Sequence, residues 1–385
     1  MGVFYHVSLI FTSSWVLHIK PENYHEGLTY FIQYFNVGRM PVFLFIAGFF
    51  ACYNIQKYSN IKYLFRRVQR ILLPFIFASL IIIPFQAYWE AKYNIMNSEF
   101  FSFTDFLHFY INKPFNFSHL WFLYYIFIFS GLLLIAKWLI PKKIKILFNG
   151  LFSKIHHNVF LTIPTWAFII YAFHFAGKYI AAFLSVKSIW FDIEDIALRL
   201  PVFIMGCLAL LHKDIFINYI IRQNTKTILI ICLLYATTVI VHAGFLVPAD
   251  WFIFQVIKIT QLFLILSVFF RLLNYTNPLL KYMANASYPF YILHHPVIIF
   301  LGYFYLNYFN HGKFISDFIL LCLISILLTY LLYHILVKSN SLGKFLFTGF
   351  FQRQINLEDQ VKAIAIKWAQ LIPIFRERKP VKVDC

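Results

Sequence analysis

Several histidines occupy apolar stretches of the sequence, where an ionisable side chain is costly, and four of them stand in the motifs that indicate chemistry. His6 lies in the first such stretch, His119 opens another in SHLWFLYY, and His294 and His295 stand in SYPFYILHHP. Ionisable residues in long apolar segments usually face a protein interior or a watery cavity and indicate function. The competing interpretation of each histidine alone is a hydrogen-bonded structural residue. Because they come from different segments, we interpret them as lining one shared polar cavity.

His294 and His295 cannot both face such a cavity squarely. Adjacent side chains on a helix point about 100° apart. Pro296 follows them and has no backbone N–H, so it leaves a carbonyl of the preceding turn without its helical donor. We therefore expect one of these two histidines either to pack at the edge of the cavity or to contact the backbone that Pro296 frees.

An imidazole in this setting suits acyl transfer. A neutral ring can remove a proton from a hydroxyl group as that hydroxyl attacks an acyl thioester, or it can accept the acyl group itself. His6 is the candidate for this role, and the choice between the two routes stays open. A cation would stabilise the oxyanion that develops. Arg39, in GRMPVFLFIAGFF, is the candidate cation, with snorkelling from a segment end as the alternative.

Other cations have competing interpretations. Arg66 and Arg70, in KYLFRRVQRILLP, are four residues apart and share a helix face that could bind the phosphates of an acyl donor. Charge alone favours a plain membrane anchor for them. Arg199 follows Asp195 by four residues, so an ion pair explains it as well as function does. Lys258 has no assigned role.

Several kinds of site have no signature in the sequence. The five cysteines show neither metal-ligand spacing nor a disulfide framework. There is no HExxH motif, Gly-rich phosphate loop, GxSxG elbow or dinucleotide fingerprint. We expect no bound metal.

Composition indicates a polytopic membrane protein. Of the 385 residues, 61% are hydrophobic and 12% are charged, whereas soluble domains carry roughly 25% charged residues. A membrane span needs about 20 mostly apolar residues. Ten segments qualify as transmembrane helices of an all-α bundle: 1–17, 37–55, 70–89, 119–140, 158–176, 195–212, 227–246, 250–272, 286–307 and 317–337.

The distribution of basic residues sets the expected orientation. Lysines and arginines concentrate in the even-numbered loops and in the C-terminal segment, which by the positive-inside rule places both termini in the cytoplasm. The net charge of +18 is mostly this signature, so we do not expect nucleic acid as a partner. We predict one transmembrane domain over 1–340 and a basic cytoplasmic tail over 341–385.

Six motifs in order resemble the membrane-bound acyltransferase 3 family and, within it, the glucan-biosynthesis branch. The resemblance covers residues 1 to about 350 and is strongest in the second and fifth motifs. The motifs are YHVSLIFTSSW, FNVGRMPVFLFIAGFFACY, FRRVQRILLP, SHLWFLYY, NASYPFYILHHP and KFLFTGF.

The resemblance implies a function and a location. Members of this family lie in the bacterial inner membrane and move an acyl group from cytoplasmic acyl-CoA to a glycan on the other side. The glucan branch implies succinyl-CoA as co-substrate, osmoregulated periplasmic glucan as acceptor and no permanently bound cofactor. A succinyl donor needs a cationic contact for its free carboxylate, which Arg39 or Lys258 could supply. Neither the acyl group nor the glycan can be read from the residues themselves.

The resemblance also implies roles for single residues. The family's catalytic histidine falls on His6, its span-edge arginine on Arg39, and its donor-binding basic stretch on Arg66 and Arg70. The remaining motif residues are expected to line the substrate cavity: His119, Trp121, Tyr291, His294 and His295.

One departure concerns the start of the chain. The family pattern has a basic residue well before the histidine of the first span, but only five residues precede His6. We expect the true start to lie upstream; the alternative is that part of the site has been lost.

Two other functions compete with O-acyl transfer to a glycan. The same polar cavity could serve a transporter or flippase for a glycan or an anion, although no repeat symmetry supports this. A non-catalytic membrane partner in a glycan-synthesis complex is the third possibility.

Overall fold

The computed structural model describes most of the chain as helix. The described residues are 2–12, 37–95, 102–112, 117–139, 158–184, 192–221, 225–244, 250–272, 277–309 and 314–350, with a few isolated positions between them. Within these ranges there are helices and no strands, so the predicted all-α class is confirmed.

We number twelve helices in the described ranges. They are α1 (Gly2–Ile10), α2 (Arg39–Lys57), α3 (60–95), α4 (Phe103–Asn112), α5 (Trp121–Leu139, entered through a 3₁₀ turn at Ser118–Leu120), α6 (Val159–Leu184), α7 (Ile193–Leu211), α8 (Thr225–Gly244), α9 (Asp250–Leu272), α10 (Pro278–Phe304), α11 (Phe314–Leu332) and α12 (Ser341–Thr348). Short π-helical segments extend α10 to residue 309 and α11 to residue 338, and a further helical stretch over 213–221 follows α7.

Seven helices in the described ranges are long and apolar enough to cross a bilayer: α2, α3, α5, α6, α9, α10 and α11. They coincide with seven of the ten predicted spans. The other three predictions fall on α1, α7 and α8, of which α7 carries Glu194, Asp195 and Arg199. A multi-pass helical membrane protein fits these lengths; the count of ten and the cytoplasmic placement of both termini stay predictions.

Helix α3 is unusually long because it absorbs two prolines without breaking. A proline removes one backbone donor and its ring clashes with the carbonyl four residues earlier. In α3, the π-helical turns Val68–Leu72 and Ala78–Ile82 each end two residues before a proline, Pro74 and Pro84. The wider π-turn relieves the clash, so one continuous rod reaches from Arg66 and Arg70 near its start to its far end.

The buried apolar residues form three clusters that share helices α5, α10 and α11. The largest cluster joins α2, α5, α6, α7 and α9. A second joins α3, α5, α10, α11 and α12, and a third joins α1, α10 and α11. Helices α5 and α10 therefore bring residues of α1, α3 and α5 to one place inside the bundle.

The closest helix crossing is between α2 and α7, and two glycines permit it. A Cβ atom on Gly48 would overlap the carbonyl oxygen of Phe203, and one on Gly206 would overlap the carbonyl oxygen of Phe45. The Cys207 thiol also donates to the Gly48 carbonyl oxygen at 3.2 Å. Small residues that let helix backbones touch are a common means of helix association in membranes.

We predict that Gly206→Ala lowers the thermal unfolding temperature of the detergent-purified protein. The added methyl group must push α2 and α7 apart, and overpacking of this kind costs about 1–3 kcal/mol. Gly131→Ala in α5 is the matched control, because no atom lies within 4 Å of its added Cβ. Equal unfolding temperatures for the two variants would contradict the close crossing.

Candidate active site

Four buried or half-buried histidines from three elements form one cluster. His6 on α1 lies with its ring centroid 5.2 Å from that of His294 and 4.6 Å from that of His295, both on α10. His119, just before α5, stacks on His295 at 4.7 Å with an interplanar angle of 20°. The structure thus brings together the four histidines that the sequence assigned to one cavity.

A hydrogen-bond relay from α3 orients His295. The Gln86 side-chain nitrogen donates to the Glu90 carboxylate at 2.5 Å and to the Ser118 hydroxyl at 2.8 Å. The Gln86 amide oxygen consequently faces His295 and accepts a hydrogen bond from its Nδ1 at 2.8 Å. In the neutral ring this leaves Nε2 of His295 as the proton-accepting nitrogen. All of these groups are buried except Ser118, which is half-buried.

His119 supplies the hydrogen bond that Pro296 cannot. Pro296 leaves the carbonyl of Ile292, four residues earlier, without a backbone donor. The Nε2 atom of His119 donates to this oxygen at 3.1 Å. The contact with the freed carbonyl, one of the two alternatives for His294 or His295, is made instead by a histidine of the turn before α5.

Nδ1 of His294 lies 2.7 Å from the carbonyl oxygen of Tyr291 in its own helix and donates to it. The hydroxyl of Tyr291 in turn donates to the backbone carbonyl of His119. Tyr291 therefore lies beside His119 and His294.

The Ser118 backbone adopts a left-handed conformation with φ of 46°. Such a conformation costs roughly 1–2 kcal/mol for a residue with a side chain. It occurs at the turn that presents the Ser118 hydroxyl to Gln86 and the His119 ring to the other histidines. The relay and the bond to Ile292 hold this turn in place.

Arg39 places a cation beside the cluster. Its guanidinium lies 4.0 Å above the ring of Tyr5, the residue before His6. It is within electrostatic reach of Tyr291 and His294, and its Nε atom is buried without a hydrogen-bond partner among the described residues. Just before it, the backbone N–H of Gly38 donates to the side-chain oxygen of Gln261 on α9.

Arg66 and Arg70 lie near the start of α3, whereas the histidine cluster contacts α3 at Gln86, toward its other end. With Arg67 they line a small pocket completed by Asn54, Tyr58 and Tyr63. The guanidinium of Arg66 lies 4.1 Å from the ring of Tyr58, and that of Arg70 lies 4.1 Å from the ring of Phe350. The two predicted donor-binding arginines therefore share one pocket, separate from the histidine cluster.

The contact between Phe350 and Arg70 depends on a glycine. Gly349 ends α12 with φ of 69°, a conformation that favours glycine. A Cβ on Gly349 would also overlap the carbonyl oxygen of Gln69. The KFLFTGF motif thus packs against the basic stretch. Residues 351–385, the rest of the predicted tail, lie outside the described residues.

Trp121 takes a different position from the other predicted cavity residues. Its ring lies under the guanidinium of Arg199, at 4.7 Å, and beside Phe122 and Tyr125. Its aromatic contacts do not include the four histidines. Arg199 also forms a close ion pair with Asp195, the pairing that their spacing indicated.

Sequence reasoning missed Gln86, Glu90, Ser118 and Tyr5. One signal was present: Gln86 and Glu90 are four residues apart at the end of a predicted span, so they share a helix face. Among the described residues, no group of three or more histidine, cysteine or acidic side chains is arranged to hold a metal ion.

We predict that Gln86→Leu lowers the unfolding temperature more than replacement of an exposed glutamine. It removes the hydrogen bonds of Gln86 to the Glu90 carboxylate, to the Ser118 hydroxyl and to Nδ1 of His295, each of which contributes about 0.5–1.5 kcal/mol. Gln56→Leu, at an exposed position on α2, is the control. Gln86→Leu combined with Glu90→Leu should cost less than the sum of the two single losses, because both substitutions remove the same hydrogen bond. Additive losses in the double variant would contradict the relay.

Comparison with known proteins places the chain in a family. The acyltransferase domain family matches residues 1–334. Relatives named glucans biosynthesis protein C, from Salmonella paratyphi B and Salmonella agona, are each 24% identical over 335 residues, which is 78% of this chain and 80% of the relative. No solved structure matches the chain. Because the family match covers well over half of the residues, and the resemblance seen in the motifs is thereby confirmed, the protein belongs to the acyltransferase 3 family.

Proposed function

We propose that the protein is a membrane O-acyltransferase that moves an acyl group from acyl-CoA on the cytoplasmic side to a hydroxyl of a periplasmic glucan. The acyl group that we propose is succinyl. Family membership supports the reaction class, and relatives named for glucan biosynthesis support the acceptor. The observation that carries the proposal is the position of two groups along α3. The histidine cluster, with the Arg39 guanidinium beside it, lies at one end of α3, and the arginine pocket lies at the other end.

Three of the four histidines have positions fixed by hydrogen bonds to neighbouring groups. His295 donates to Gln86, His119 to the Ile292 carbonyl and His294 to a carbonyl of its own helix. His6 meets the rings of His294 and His295 edge-on. We assign the proton transfer to His6, because the resemblance to the family places the catalytic histidine at this position, and positioning roles to the other three.

The reaction balances with these groups. A ring nitrogen of His6 takes the proton of the acceptor hydroxyl as the hydroxyl oxygen bonds to the thioester carbonyl carbon. The carbonyl electron pair moves to its oxygen, and the guanidinium of Arg39 stabilises that oxyanion. When the carbonyl re-forms, the carbon–sulfur bond breaks, and the CoA thiolate takes the proton from His6. The products are the glucan ester and free CoA.

The arginine pocket accounts for donor binding. Arginine forks match the geometry of phosphate oxygens, and Arg66 and Arg70 meet in one pocket with a third arginine between them in sequence. The stacking of Arg70 on Phe350 and of Arg66 on Tyr58 restrains both guanidinium groups. We assign the phosphates of acyl-CoA to this pocket.

We predict that His6→Ala abolishes acyl transfer while leaving folding intact. Loss of a general base typically lowers the rate by 10²–10⁴-fold. The measurement is transfer of radiolabelled succinyl groups from succinyl-CoA to glucan in proteoliposomes. His334→Ala is the control, because this histidine is exposed on the extension of α11.

Full transfer by His6→Ala would exclude the catalytic role. Passage of unmodified glucan across the membrane by the wild-type protein, without transfer of label, would favour a transporter instead.

We predict that Arg70→Gln raises KM for acyl-CoA about 10-fold or more, since a hydrogen bond to a charged group contributes roughly 1.5–3 kcal/mol. Lys62→Gln is the control: Lys62 lies two turns earlier on α3 and does not line the pocket. The two values of KM are compared in the proteoliposome assay. An equal rise for both variants would indicate a general effect of charge rather than a phosphate site.

A further inference from the structure

A second group of charged residues lies on α6, α7 and α9 and has no part in the reaction above. Lys258 is its central member. It lies on α9, a helix apolar and long enough to cross a membrane, with its ammonium 5.0 Å from the ring centre of Phe254. Arg199 and Asp195 on α7 are within its electrostatic reach. A cation inside an apolar bundle is costly and usually has a function.

The neighbouring carboxylates are already paired. Asp195 forms its ion pair with Arg199 and also accepts a hydrogen bond from the Tyr125 hydroxyl at 3.1 Å. Glu194 lies 3.6 Å from the ring of His174. The ion pairs found within the described residues leave Lys258 with no carboxylate at pairing distance. Asp195 is therefore engaged by Arg199 and Tyr125 rather than by Lys258.

Gln255 is a second, independent indication of a ligand site. It precedes Lys258 by three residues and therefore lies on the same face of α9. Its side chain is fully buried, at 0% exposure. Neither its amide nitrogen nor its amide oxygen has a hydrogen-bond partner among the described residues. An unsatisfied buried amide of this kind costs about 1–3 kcal/mol unless something binds to it.

Two contacts connect the helices of this pair and its charged neighbours to the elements of the candidate active site. Gln261, one turn beyond Lys258 on α9, accepts the hydrogen bond from the Gly38 N–H, the residue before Arg39. On the other side, Arg199 covers Trp121, two residues after His119. These contacts connect α9 to the helix start that bears Arg39, and α7 to the start of α5, which follows His119.

We propose that Lys258 and Gln255 form an anion subsite that receives a carboxylate of the substrate. An ammonium and an amide N–H₂ are donors suited to the two oxygens of a carboxylate. This inference rests on the proposed function. The carboxylate comes from the free end of a dicarboxylic acyl group such as succinyl, or from an acidic substituent on the acceptor glucan, and the experiment separates these sources.

The first experiment compares two donors on the Lys258→Met protein. Succinyl-CoA carries the terminal carboxylate, whereas butyryl-CoA has a methyl group in its place. If the acyl group supplies the anion, kcat/KM falls about 10–100-fold for succinyl-CoA, as expected for losing a charged hydrogen bond, and is unchanged for butyryl-CoA. Lys178→Met, at an exposed position on α6 near the same cluster, is the matched control.

The acceptor is varied in the same assay. A loss that follows the charge of the glucan, with both donors affected alike on acidic glucan and neither on neutral glucan, assigns the carboxylate to the acceptor. An equal loss with every combination, or no loss at all, overturns the subsite.

A binding measurement keeps this inference separate from the proposed reaction. Succinate should raise the unfolding temperature of the purified wild-type protein, its uncharged diamide succinamide should do so less, and Lys258→Met should remove the difference. Succinate stabilisation without any acyl transfer would leave the subsite standing and reject the proposed function. Acyl transfer without discrimination at Lys258, in rate or in stabilisation, would reject the subsite alone.

Discussion

The hydrogen bond from His119 to the carbonyl of Ile292 is the interaction on which the site depends. Pro296 creates an acceptor in the middle of α10 that its own helix cannot satisfy, and apolar surroundings offer no water to take its place. The donor has to come from another helix. By supplying it, His119 joins the start of α5 to α10 and brings its own ring against that of His295.

The same need for a hydrogen-bond partner applies to the other buried polar groups of the bundle. Gln86 satisfies Glu90, Ser118 and His295 together, so α3, α5 and α10 meet through one amide. Gln261 satisfies the first N–H of the turn before α2 and thereby fixes where Arg39 begins that helix. Because unpaired polar groups are most costly in a low dielectric, these bonds specify the arrangement of helices that apolar packing alone would leave open.

The sequence predicted the membrane class, the helical fold and the meeting of four histidines, because each leaves a strong local signal. An ionisable residue in an apolar run is visible without a structure, as at His6 and His294. The partners were harder to predict, since a glutamine near a span end is common and nothing local links Gln86 to His295. The same holds for Trp121, which turns toward Arg199, while His119, two residues earlier, turns toward α10. Residues two apart at a helix start point in different directions, and only the packing of the helices decides which one faces the site.

The uninterrupted length of α3 sets a scale for the reaction. About 16 residues separate Arg70 from Gln86, which at a rise of about 1.5 Å per residue is about 24 Å, most of the thickness of a hydrocarbon core. A donor anchored by its phosphates at the arginine end must reach the histidines through an arm of comparable length. For the proposed reaction, the length of α3 therefore sets the minimum length of the donor. A thioester on a long, narrow carrier arm can span the distance between the two ends, whereas a short acyl phosphate cannot.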